Sequence, residues 1–486
     1  MRAWRGVLFV ALAGGLVHAL VTFPNHFLFR TYALDLGLYT HAAWTYLNGG
    51  LADTALFQEV VAPMLADHFD LYLLLVSPLL LIFGTWTLLF LQWASIIFGA
   101  FGVRRYLLTR GMEPSVALVG MSLFFLFFGV FAASSFDYHS NVVAAMLLPW
   151  CLDAVWRGRR WRAFLFCAGM LVAKENIGLW SGSIMAILAM DRSLSMTIRR
   201  MAMSLAVLSF VWSAIIIGVV MPTLAADGQY AHFDYRIVAG LFQGDRPPWG
   251  LLRALFIDLE GSAKGTAIKV EFWVLLMLSG GWAFVLRPAW GMMAVPLIVQ
   301  KMWHDEPSKW GAFGQYCIEF APLVAISVPL VLATTMAQGA RRWALFIALG
   351  MAMACTIRIM DNTVAHMDRS RIRLYKAEHY RREYDVQRVR DVVASLPPGV
   401  VVSAQSPAVP HLALRSHLFQ FPILRDAEAV VLMPQESTYP LSESDYRRSV
   451  DSLMNAADWR VEVRDTNVIL LRRDGGEVRP DAARTP

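Results

Sequence analysis

The chain has 486 residues, of which 57% are hydrophobic and 16% charged, with a formal net charge of +6. A soluble globular domain carries about 25% charged residues, so a chain this apolar must bury nearly everything or live in lipid, and its apolar runs are of the order of the roughly 20 residues that cross a bilayer. The arginine surplus does not point to nucleic acid: it sits in short clusters between apolar runs, not on a basic, aromatic-bearing soluble face.

In chain order, the expected spans are 6–23, 86–103, 115–134, 140–156, 162–174, 176–190, 201–221, 270–286, 289–301, 316–334 and 342–358. The first follows Arg2 and Arg5 and has no small-x-small cleavage site after it, so it reads as a retained anchor. Clusters at Arg104/Arg105/Arg110, Arg157/Arg159/Arg160/Arg162, Arg192/Arg199/Arg200, Arg287 and Arg341/Arg342 then fall on one side with Arg2/Arg5, and the positive-inside rule makes that side the cytoplasm. Residues 69–83, FDLYLLLVSPLLLIF, are apolar but short and carry Pro78. They are expected to lie at the outer interface, because a span there would turn the Arg104–Arg110 loop outward; the alternative is a twelve-span protein. The expectation is an all-α polytopic inner (plasma) membrane protein of about eleven spans, N-terminus cytoplasmic and C-terminus extracytoplasmic. Its membrane domain covers 1–358, with outer loops at 24–85, 222–269 and 302–315.

From about residue 359 the character changes. The run AHMDRSRIRLYKAEHYRREYDVQRVRDVV is highly charged at helical spacing and ends at Leu396-Pro397-Pro398-Gly399. VVVSA, AEAVVLM, WRVEV and NVILLRR read as short strands, with SESDYRRSVDSLMNA as a helix between them. Residues 359–473 thus read as a small extracytoplasmic α/β domain, and 474–486 as a disordered tail. Cys151, Cys167, Cys317 and Cys355 all lie in apolar segments without a C-x-x-C pair, as small buried hydrophobes do. No repeat of 20–50 residues recurs, and no matched pair of broken helices relates two halves, which weakens a secondary-transporter reading.

Ionisable groups near a membrane are costly and are functional candidates by default. Four stretches carry them: LDLGLYTHAAWTYLNGG with Asp35, Tyr39 and His41; ADHFD with Asp67, His68 and Asp70; FDYH with Asp137 and His139; AKEN with Lys174, Glu175 and Asn176. In the expected topology all four lie at the outer face. Asp35 suits a general base. Asp67, His68, Asp137, His139 and Glu175 suit a divalent cation that neutralises phosphate. Lys174 suits direct phosphate binding, with Arg30, Arg236, Arg246, Lys264, Lys269, Lys301 and Lys309 as further outer cations. Each has a plainer reading: Asp35 as a helix cap, the Asp67–Asp70 cluster as a solvated cap, Asp137 and His139 as turn satisfiers, Lys174 and Glu175 as a structural ion pair. In KMWHDEPSKW, Trp303 and Trp310 suit interface anchoring or a flat platform for sugar.

The Asp35, ADHFDLYLL, FDYHSNVVAAMLLPW and AKENIGLW blocks, with PGVVVSAQSPAVPHLALRSHLFQFP at 398–422, resemble the signature blocks of the bacterial membrane family named domain of unknown function 2079. More distantly, Asp35, Tyr39, Ala43, Leu47 and Gly49 or Gly50 resemble the first outer loop of GT-C glycosyltransferases of the protein mannosyltransferase and aminoarabinose transferase type. The helix ending at Phe83-Gly84 and the lone Lys174 are similar to that family's juxtamembrane helix and lysine. The resemblance implies a GT-C-like fold, a polyprenyl-phosphate sugar donor, membrane lipid and an extracytoplasmic acceptor as partners, and Asp35 as base. Tyr39, His41, Lys174, Asn176, Arg236 and Trp303 would contact substrate. The sequence departs from the pattern at Leu36, where the family's Asp-Glu pair has its second acid, and at Asp67-His68, where a basic residue is expected. Two other readings remain open: a non-catalytic transporter or lipid-handling protein using the same polar pocket, and a scaffold whose tail domain binds a partner.

Overall fold

The structure, a computed structural model, describes residues 2–232, 234–242, 247–365 and 368–474. Arg246 and residues 475–486 of the expected tail lie outside these. The chain forms two compact units. The first comprises Met1–Thr22, Leu91–Thr223 and Gln229–Leu374; the second comprises Phe23–Phe90, Leu224–Gly228 and Tyr375–Pro486.

Each of the eleven expected stretches overlaps one or more helices. Five helical runs are long and apolar enough to cross a bilayer: Trp4–Phe27, Tyr72–Thr109, Met196–Leu224, Ala263–Leu286 and Gln338–Asp361. The pair Pro114–Leu126 and Phe128–Ser134, bent by 47°, makes a sixth if it is one span, and Ser140–Trp156, Ile177–Met190 and Phe320–Thr335 are shorter apolar helices. This is a multi-pass membrane protein. The expected spans 162–174 and 289–301 correspond to the helices Arg160–Leu171 and Pro288–Met302. The first of these, with 12 residues, reaches only about 18 Å against a hydrocarbon core of about 30 Å. The Tyr72–Thr109 run is segmented: a 3-10 turn at Ser77–Leu79 carries Pro78, and Gly84, at φ +55°, separates Leu80–Phe83 from the regular helix Thr87–Thr109.

In the first unit the outward surfaces are apolar. Leu8, Phe9, Leu12 and Leu16 are exposed, as are Val207, Phe210 and Val211, and Trp343, Phe346 and Ile347. In water such stripes would aggregate; in lipid they are the solvent-matched face. Inside, small residues admit close helix approach. A Cβ on Gly178 would stand 2.2 Å from the Ser209 carbonyl oxygen, and one on Gly99 would meet Met146 Sδ at 2.6 Å. Where helices break, side chains take up the released carbonyls. Phe127, at ψ 127°, interrupts the bent pair, and the Thr356 hydroxyl donates to the Leu126 carbonyl at 2.7 Å. Two of the arginine clusters meet at Asp153, which accepts from Arg105 at 2.8 Å and Arg157 at 2.9 Å, while Arg110 lies 3.8 Å above the Trp156 ring.

The second unit contains a five-stranded sheet: β1 Val402–Ala404, β2 Leu418–Gln420, β3 Ala429–Leu432, β4 Trp459–Arg464 and β5 Ile469–Arg473. The order is β2-β1-β3-β5-β4, parallel across the first three and antiparallel across the last. Four of these strands are the four read from the sequence; β2 is additional. Phe419, Val430, Leu432, Tyr446, Leu453 and Leu471 pack a core between the sheet and the helix Glu443–Asn455. That helix and Val386–Ser395 begin on side-chain caps, Ser442 accepting from the Asp445 N–H and Asp385 from those of Gln387 and Arg388. Among the described residues of the charged run at 365–393, α-helix forms only from Val386, after 3-10 turns at Arg369–Arg371 and Ala377–Tyr380. Of its earlier arginines, Arg369, Arg373 and Arg382 reach carbonyls and Arg371 the Asp137 carboxylate, which a continuous solvated helix would not allow.

Arg382, Arg390 and Arg30 tie the second unit together. The helix Arg2–Phe27 ends with carbonyls that have no intrahelical donor. Arg390 donates to the Phe27 carbonyl at 2.8 Å, and Arg382 to those of Leu28 at 2.9 Å and Phe29 at 3.1 Å, placing positive charge where the helix dipole is negative. Arg382 also pairs with Glu436, which accepts from the Tyr384 hydroxyl at 2.7 Å. In return the buried Arg30 donates to the carbonyls of His379, Glu378 and Arg381 at 2.5, 2.8 and 2.7 Å. Arg30→Met leaves those acceptors unmet at a cost of about 3 kcal/mol; the expected result is a lowered Tm of the purified protein, whereas Gly339→Ala, which has nothing within 4 Å, leaves Tm unchanged.

Candidate functional site

The sequence-predicted residues divide between the units. Asp35, Tyr39, His41, Asp67 and His68 belong to the second; Asp137, His139, Lys174, Glu175, Asn176, Arg236 and Trp303 belong to the first.

In the first unit, FDYH forms the connection into the helix Ser140–Trp156. Gln92 staples it, its carboxamide oxygen accepting from the His139 N–H at 2.9 Å. Asp137 is buried and pairs with Arg371 at 2.9 Å, and the guanidinium lies 4.7 Å from the Phe136 ring. A carboxylate neutralised in this way has little left to offer a divalent ion. The His139 ring N–H donates to the Asp137 carbonyl at 3.2 Å, and the imidazole stacks on Phe136. Glu175, also buried, accepts from the Tyr230 hydroxyl at 3.3 Å, while its own carbonyl accepts from Ser213 at 2.6 Å. Burial and then the Glu175 charge push the Tyr230 phenol far up, so it remains a donor. At the second residue of the helix Ser140–Trp156, Asn141 donates to Glu319 at 2.7 Å, and the charges of Lys301 and Lys174 act on that carboxyl.

The cations differ sharply in how they are used. An ammonium has three donors. Lys269 gives all three to carbonyls, of Ala254, Ile257 and Met302 at 2.6, 3.2 and 2.9 Å, under the Trp310 ring. Lys301 gives three to Lys309, Gly311 and Tyr316 at 2.6, 2.7 and 3.2 Å. Both are framework. Lys174 is half-buried ahead of the helix Ile177–Met190, whose N-cap is Asn176. Among the described residues, neither the Lys174 ammonium nor the Asn176 carboxamide engages a hydrogen bond or ion pair. Arg236 is exposed and faces Asp305 at 3.4 Å and Glu260 at 3.9 Å. The Trp303 indole donates to the Leu251 carbonyl at 3.0 Å, and the Trp310 indole to that of His304 at 2.7 Å, as interface anchors do.

In the second unit, Asp35 lies half-buried at the centre of a single π turn, Ala33–Gly37, closed by the Gly37 N–H donating to the Tyr32 carbonyl at 3.0 Å. Such turns recur at functional sites. The helix Leu38–Leu47 follows, with the Tyr39 ring 6.4 Å from that of His68. His41 donates a ring N–H to the Ala413 carbonyl at 3.2 Å; burial lowers its pKa, partly offset by that bond and by Asp53. Its place is therefore against the tail domain, not in an open substrate pocket. Asp67 ends the short helix Met64–Asp67 and His68 follows as its C-cap, donating to the Met64 carbonyl at 2.8 Å. The buried Asp70 accepts from the Tyr72 N–H at 2.9 Å, and burial together with its charge pushes the Tyr46 phenol up to about 12.

Arg371, Asn141 and Glu319 were not singled out from the sequence. Glu319 carries a readable signal, an acid heading the apolar run FAPLVAISVPLVL. Asn141 and Arg371 carry none, since their importance comes from partners 178 and 234 residues away.

His304 is the titratable centre of the polar run His304-Asp305-Glu306 in KMWHDEPSKW. It accepts from the Glu306 N–H at 3.0 Å and lies 2.9 Å from Lys309 Nζ. Burial first and then Lys309 lower its pKa from 6.5 to about 4, against the opposing pull of Asp234, Glu306 and Asp305. The folded state therefore favours the neutral ring, and the unfolded chain binds the proton first as pH falls. His304 is expected to contribute stability in full above pH 6.5 and to lose it progressively toward pH 4; His304→Gln should flatten Tm against pH across that window.

A profile of the family described as "Predicted membrane protein (DUF2079)" matches residues 25–470. A search of curated proteins gave no match. Among solved structures, the crystal structure of ArnT from Cupriavidus metallidurans bound to undecaprenyl phosphate is similar, with 11% identity and a TM-score of 0.45 over 96% of this chain and 97% of that one. At this level of superposition, no residue role carries across.

Proposed function

Starting from the fact that the chain belongs to the DUF2079 family of predicted membrane proteins, whose description carries no activity, we propose that it is a membrane glycosyltransferase of GT-C type. The donor is a polyprenyl-phosphate sugar and the acceptor an extracytoplasmic hydroxyl or amine. The topology that goes with this reading has eleven spans, a cytoplasmic N-terminus and an extracytoplasmic C-terminus in the plasma membrane. Asp35 removes the acceptor proton. The freed electron pair attacks the anomeric carbon, the bond to the phosphate oxygen breaks in line with inversion, and polyprenyl phosphate leaves as an anion, the kind of group that an uncommitted lysine such as Lys174 binds.

The observation that carries the reading is the contrast among the lysines. Lys269 and Lys301 are saturated by carbonyls, whereas Lys174 holds a half-buried charge with no bonded partner among the described residues, ahead of an apolar helix whose N-terminus favours anions. The sequence resemblance around Asp35 supplies the base. Asp137 and Glu175 are engaged by protein partners, Arg371 and Tyr230.

In nanodiscs, Lys174→Met is expected to weaken undecaprenyl phosphate binding about tenfold to hundredfold, the worth of one charge-assisted contact, as measured by native mass spectrometry. Asp35→Asn should leave that binding intact and reduce sugar transfer to an envelope extract by about 100-fold or more. Full transfer by Asp35→Asn would overturn the mechanism.

A further inference from the structure

The parallel part of the sheet has a topological switch. After β1 the chain crosses to β2 on one side, and after β2 it crosses to β3 on the other side of β1. In open α/β sheets, the crevice beyond the strand carboxyl ends at such a point is where ligands sit. In this unit the chain's own Asp35 turn is packed there.

The residues just past β1 are held rigidly. Gln405 donates from its carboxamide to the Ser437 carbonyl at 2.8 Å and accepts from the Met433 N–H at 2.8 Å and the Tyr446 hydroxyl at 3.0 Å. Its neighbour Ser406 is buried, and the Ser406 hydroxyl accepts from the Ala33 N–H at 3.1 Å. At the other end of the turn, a Cβ on Gly37 would stand 2.8 Å from Val409 Cγ1, so only glycine allows this approach. One helical turn further on, His41 bonds the Ala413 carbonyl. The backbone is thus pinned two residues before Asp35 and two residues after it, and Asp35 between them is half-buried.

We propose that the C-terminal domain serves the reaction by aiming Asp35, with Ser406 as the positioning residue that fixes the turn carrying this carboxylate. The proposal rests on the transferase reading above. A base must sit within hydrogen-bond reach of the proton it takes, and an error of about 1 Å in such a group can cost about 100-fold in rate. A shared framework of backbone bonds holds that tolerance better than a free loop does.

Full-length wild type, S406A, S406T and D35N are compared in nanodiscs by amide hydrogen exchange over residues 33–38. They are also compared by transfer of labelled sugar from undecaprenyl-phosphate hexose to an envelope extract. In S406A, exchange in this segment is expected to rise about tenfold and kcat to fall about tenfold or more, with the donor KM unchanged; S406T, which keeps a hydroxyl, restores both. Wild-type exchange and kcat in S406A, alongside an inactive D35N, would overturn the positioning role and leave the transferase reading standing. A fully active D35N would remove that reading and with it the role proposed for Ser406, even if exchange in S406A still rose.

Discussion

A backbone carbonyl left over where a helix stops has nowhere to turn in apolar surroundings, and this protein answers that constraint with long basic side chains. Arg390 and Arg382 take the carbonyls at the end of the first helix, and Arg30 takes three from the strap that leads into the sheet. Lys269 and Lys301 each gather three from converging loops. An unmet polar group in such a medium costs several kcal/mol, so these cations are framework before they are anything else. The same bookkeeping makes Lys174 informative, because among the described residues it is a cation of the same kind without that employment.

The second unit joins the loop that follows the first helix to a domain formed at the far end of the chain. Its ties are of one type: a side chain on one segment meets the backbone of the other, as Arg30 meets 378–381, Arg425 meets Gln58 and Glu59, and Ser406 meets Ala33. Even the edge of the sheet takes part, the Gln420 N–H donating to the Leu56 carbonyl at 2.6 Å. The expected α/β tail therefore folds with the first loop as one unit, and the segment carrying Asp35 is part of that unit's interior.

Asp137 shows how burial reshapes a reading made from residue type. As an acid beside a histidine at a helix start it suggested a cation site. In the fold it is an ion-pair partner of Arg371 over an aromatic ring, and stripping either partner would leave a buried charge costing about 3–5 kcal/mol. His41 is a parallel case, its ring committed to the Ala413 carbonyl.

Hydrophobic periodicity alone determined that the chain is a membrane protein, where its helices lie, and that a small sheet closes it, because apolar runs of these lengths have few alternatives in water or lipid. Four of the five strands were legible as β-branched runs. The three residues of β2, Leu418–Gln420, were not, since so short a strand is defined by its neighbours β1 and Leu56 rather than by its own pattern. The charged run from 365 read as one helix because spacing records which face is polar and is silent on whether a guanidinium is solvated or capping a distant carbonyl. Only the tertiary structure decided which ionisable groups are committed and which remain available. The Arg371–Asp137, Asn141–Glu319 and Ser406–Ala33 contacts join positions 234, 178 and 373 residues apart, and no local pattern encodes an interaction whose partners meet only after the whole chain has folded.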